Sequence, residues 1–87
     1  MNKIKLLSRL QAFFNADEKE KKEKTDEITI VINKLKAKKH KIEKMLVDCV
    51  DDELKKALQL EVDIIGAQID KGNDVLKNLN SQETVGK

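Results

Sequence analysis

The chain has no proline, no tryptophan and no tyrosine, and its 87 residues include only three glycines and two phenylalanines. A sandwich, barrel or doubly wound sheet needs frequent turn residues and large β-formers, and both are missing. What is present favours helix. Hydrophobic residues supply 39% of the chain and Asp, Glu, Lys and Arg another 39%, a mixture rich in good helix formers and poor in breakers. So short a chain builds one small core and leaves little room for an enclosed catalytic pocket.

Cysteine is nearly absent too. Cys49 stands alone, which excludes a disulfide framework within the chain and a cysteine-based metal cluster. A reducing, cytoplasmic setting is the expectation. Long apolar runs are also lacking: Ser8, Arg9 and Gln11 interrupt the apolar stretch of residues 1–16, and elsewhere the longest run is three residues. Neither a secretory signal nor a membrane span fits. Eighteen basic and sixteen acidic side chains leave a net charge of +2, too balanced to make nucleic acid the default partner.

Charge divides what remains into blocks. Residues 1–16 carry Lys3, Lys5 and Arg9 and no acid; residues 17–27 are wholly polar, with six acids and four lysines, and read as a charged spacer or helix extension. Within 28–80 two amphipathic helices are expected. The first spans about 26–50, capped by Thr25, with Ile28, Val31, Ile32, Leu35, Ile42, Met45, Leu46 and Cys49 on one face. Alternation at Ile28, Ile30 and Ile32 would also suit a strand, but no other segment offers a partner for it. The second helix spans about 52–80, capped by Asp51, with a stripe of Leu54, Leu58, Val62, Ile65, Ile69, Leu76 and Leu79. Residues 81–87 have no pattern and are expected to fray.

With no glycine or proline between them, the two helices could form one rod of more than fifty residues. The apolar spacing argues otherwise. Ile42, Leu46, Val50, Leu54, Leu58 and Val62 step by four, and each such step drifts by about 40°, so the series winds around a straight helix instead of holding one face. The stripe changes phase at 50–54, where the acids cluster. The expected fold is therefore all-α: an antiparallel helical hairpin that turns near 50–53, plus a short amphipathic N-terminal helix.

The hairpin carries more apolar surface than two helices can hide from each other. Leu60, Ile64 and Ala67 lie beside the main stripe of the second helix and widen its apolar arc. A two-helix core is thin, so a further layer is required. That layer could be a second copy, the chain's own N-terminal segment or a partner helix. The expectation is a second copy, giving a helical bundle by self-association with Leu60, Ile64 and Ala67 at the interface.

Residues that could carry chemistry have plainer roles. His40 is the single histidine and sits among lysines, so it defines no metal site. Cys49 falls on the apolar face and reads as core. Asp17–Glu18 and Asp51–Asp52 read as caps or solvated pairs. Gly66 and Gly72 frame no phosphate loop, because the spacing is wrong and no strand precedes them; close helix approach explains them better. No catalytic residue, metal or cofactor is expected.

Two surfaces remain. On a helix, Ile4, Leu6, Leu7, Leu10, Phe13 and Phe14 gather opposite Lys5, Ser8 and Arg9. The face of Ile4, Leu7, Leu10, Phe13 and Phe14 suits docking onto the bundle, contact with an anionic membrane, or capture of a partner protein. The second surface is the basic run over 34–44, with Lys34, Lys38, Lys39 and Lys41. It supports the alternative of a nucleic-acid-binding helical dimer, although no arginine or aromatic accompanies it. The expectation is a non-enzymatic interaction protein, a homodimer that docks on a protein or membrane through its apolar faces.

Overall fold

The computed structural model describes the backbone of residues 3–85 and the side chains of residues 4–79. Among the described residues the chain forms four helices and no strand: α1 (Lys3–Asn15), α2 (Glu18–Glu23), α3 (Thr25–Asp48) and α4 (Asp52–Val85). The molecule measures 55 × 21 × 16 Å, and α4, at about 1.5 Å per residue, accounts for most of the long dimension.

The joints explain how a chain so poor in glycine changes direction. After α1, the N–H of Ala16 donates to Phe13 O, and Asp17 then caps α2 by accepting from the N–H of Glu20 at 2.8 Å. Glu18 and Glu20 lie in the first turn of α2 and Lys21 and Lys22 in its last, each matched to the sign of the helix dipole. An ion pair between Lys24 and Glu20 at 3.2 Å supports the same turn. The spacer expected over 17–27 thus contains a short, wholly surface helix and the first turn of α3.

Thr25 is not the cap expected of it. The capping position falls on Lys24, whose side chain makes no capping bond, and Thr25 is the first residue inside α3. Its hydroxyl donates backward to Lys22 O at 3.2 Å. The reason is that α2 almost runs into α3: the N–H of Ile28 bonds to Lys24 O, so the preceding turn is where a free cap would have to stand.

Asp51 does cap α4. Its carboxylate accepts from the N–H groups of Glu53 and Leu54 at 2.9 and 3.1 Å, which satisfies two of the donors a helix start leaves open. Between α3 and α4 only residues 49–51 are non-helical. Cys49 is extended, at φ −80° and ψ 127°, and its N–H closes α3 on Leu46 O. One extended residue and one acidic cap make the bend, and no described residue has a positive φ. The second helix, expected to stop at 80, continues to Val85; Gly86 and Lys87 of the expected tail lie outside the described residues.

Packing brings α3 and α4 together along their lengths, and α1 lies against both. Ile32 and Leu10 reach Gly72, whereas farther along α3 Lys39 lies beside Gly66. Met45 and Leu58 then line one hollow. As the residue number rises along α3 it falls along α4. The core holds Leu6, Leu10 and Phe13 of α1, Ile28, Val31, Ile32 and Leu35 of α3, and Ile65, Ile69 and Leu79 of α4. No described polar or charged side chain is fully buried, so apolar burial is the chief source of cohesion.

The three-helix cluster occupies one end. No residue from 36 to 57 is fully buried. In this stretch Val47 is 85% and Val50 96% exposed, and Met45 and Leu54 are half-exposed. The apolar periodicity that predicts a seam as far as Cys49 corresponds to a dense three-helix core only as far as Leu35; farther out Ile42 is half-buried, and Leu58 and Val62 of α4 are still buried. Beyond it, α3 and α4 form a two-helix arm. No described helix is long and apolar enough to cross a membrane.

Candidate interaction surface

The face read from residues 1–16 divides between interior and surface. Leu10 and Phe13 are fully buried, together with Leu6, and Leu7 and Phe14 are half-buried against the same cluster. Ile4 alone among the large apolar residues of α1 is mostly exposed, at 68%. Phe14 is covered by a cation: the ammonium of Lys71 stands 4.5 Å from its ring centroid, a geometry favourable to the ring's negative face. Phe13 lies at 6.1 Å from Phe14, the rings tilted by 53°. Lys71 is a partner the chain order does not reveal, because only the packing of α1 on α4 brings it near.

Next to this helix lies an open hollow of about 330 Å³, lined by Ile4, Leu7, Ser8 and Gln11 of α1 and by Ile64 and Gln68 of α4. Ile64 joins it to the predicted oligomer edge. Leu60 is 60% exposed, Ile64 is 47% exposed and Ala67 is exposed as well. The edge read from the second helix and the exposed end of the α1 face thus meet in one apolar patch. Their adjacency is a product of the fold.

The basic run does not stay together. Lys38 and Lys41 flank a hollow of about 260 Å³ that also touches Ile42, Met45, Leu58 and Glu61. Lys39 falls in a different hollow, of about 390 Å³, with Lys36, His40, Glu43 and Asp70. It pairs with Glu43 at 3.9 Å and lays its aliphatic stem against Gly66. Lys34 is exposed. Helical periodicity distributes these lysines around α3 and places acids among them.

Chemistry-bearing residues are equally dispersed. Among the described residues no group of three or more His, Cys, Asp or Glu side chains could hold a metal ion. His40 is exposed, near Glu43 and Asp70. Cys49, expected in the seam, is half-buried at the turn, where its thiol donates to Asp51 O at 3.4 Å. The Gly66 and Gly72 pair lies within continuous helix, and Gly72 is buried where α1, α3 and α4 converge. No known protein family, curated protein or solved structure matches the chain.

Proposed function

We propose that this protein is a non-enzymatic interaction module: an antiparallel hairpin of α3 and α4, buttressed by α1, that associates with a second copy through its bare apolar faces. The single observation that carries the reading is the apolar patch of Ile4, Leu60 and Ile64 (with Ala67 at its margin), left open beside the three-helix core. Contiguous exposed apolar groups on a small chain mark a contact surface. Full burial of one such side chain contributes about 1.5–3 kcal/mol, so a few of them joined across a two-fold axis would hold two copies together.

Sedimentation equilibrium tests the reading. The wild type should sediment as a dimer, and Ile64→Lys should weaken association while the far-ultraviolet circular dichroism of the helices persists. A wild type that stays monomeric at every accessible concentration overturns self-association. A monomer that binds anionic vesicles would instead favour docking on a membrane.

A further inference from the structure

We propose that the part of the α3–α4 arm that α1 does not cover is the docking site for the same arm of a second copy, laid antiparallel in the groove that α1 leaves open. This rests on the self-association proposed above and specifies where the second copy sits.

The groove is a missing third layer. Contacts of α1 on α4 run from Ile64 and Gln68 to Lys71 and Gly72. Glu61 stands two helical turns before Gln68 and so shares its face. That face continues into the hollow of Ile42, Met45 and Leu58. The line of α1 therefore extends along the arm with no helix in it among the described residues. On α4 the arm covers residues 52–63, about 18 Å of helix. A second arm of the same length would fill it completely, and the first arm would fill the groove of the second. Reciprocity of this kind closes the assembly at two copies.

Charge selects the direction. The run 34–44 has six lysines and one acid, whereas 45–54 has Asp48, Asp51, Asp52 and Glu53 and no basic residue. On α4, Lys55 and Lys56 follow the acids near the tip, and Glu61 and Asp63 stand near the base. Over both helices the arm thus keeps a net positive base, where Lys38 and Lys41 flank the groove, and a net negative tip. Antiparallel arms place each acidic tip against the other copy's basic base at both ends. Parallel arms would set acid against acid. The apolar residues follow the same symmetry: Leu58, already buried within one copy, lies near the middle of the arm, and Met45 and Leu54, half-exposed in one copy, would be covered by the other.

The lone cysteine supplies the test. A spin label on Cys49 of the otherwise unaltered chain reports only distances between copies. With the two-fold axis near Leu58, the labels should be about 20–30 Å apart, and Met45→Asp should lower the association constant at least tenfold with helix content retained. A dimer with labels about 40 Å apart or more, dissociated by Ile64→Lys but not by Met45→Asp, overturns this pairing and leaves self-association standing. Labels in near contact, from tip-to-tip dimers, also overturn it. Absence of any dimer overturns both.

Discussion

Ile32 and Gly72 meet so closely that a Cβ on Gly72 would force the end of the Ile32 side chain to move. A Cβ on Gly72 would stand 2.8 Å from Cδ1 of Ile32 and 3.3 Å from Cδ1 of Leu10. The three helices converge at this point, and the absence of a Cβ is what permits the approach. At Gly66 the same atom would meet only the stem of Lys39, at 3.4 Å, an ordinary contact with a flexible side chain.

Replacing these two glycines by alanine should therefore have opposite effects. Gly66→Ala gains helix propensity without a clash and should raise stability by about 0.5–1 kcal/mol. Gly72→Ala gains the same propensity but overpacks a buried junction, and it should lower stability by about 1 kcal/mol net. Urea denaturation of both variants measures the difference; equal shifts of the same sign would refute the account of the junction.

Burial of Leu10 and Phe13 yields the second prediction. Leu10→Ala should cost about 2–5 kcal/mol in lipid-free buffer, visible as a large fall in melting temperature, since α1 is part of the core. Wild-type protein should show little co-sedimentation with anionic vesicles. If Leu10→Ala instead melts like wild type and loses strong vesicle binding, α1 serves the membrane and not the bundle.

Capping gives the third. Asp51 accepts from two backbone N–H groups at the start of α4, so Asp51→Ala should cost about 1 kcal/mol. Thr25 occupies no capping position, and Thr25→Ala should change stability by less than about 0.5 kcal/mol. Thermal melts of the two variants in the same buffer compare them directly, and a larger loss at Thr25 would sink the distinction.

Much of this architecture is legible from residue type and spacing. The absence of proline and the three- and four-residue steps from Ile28 to Leu35 and from Leu58 to Ile69 require amphipathic helices, because only the helical period collects those side chains on one face. The bend is legible as well, in the phase change near Val50 and in the capping chemistry of Asp51. Thr25 misleads because the same residue type caps a free helix start or bonds backward within a helical turn, and only the path of the preceding chain selects between them.

Local sequence therefore settles the long helical segments and which side of each is apolar, since these depend on backbone sterics and on spacing along the chain. It does not settle their ends, as Thr25 and the continuation of α4 to Val85 show. It leaves open how far each apolar side is used. Leu35 and Met45 lie on one predicted stripe, yet the first is buried in the cluster that α1 shares and the second is half-exposed. Lys71 finds Phe14, and Ile4 finds Ile64, only because α1 folds back along α4. Such contacts depend on helix lengths and on where the third layer ends. Those are properties of the assembled chain, decided by tertiary packing.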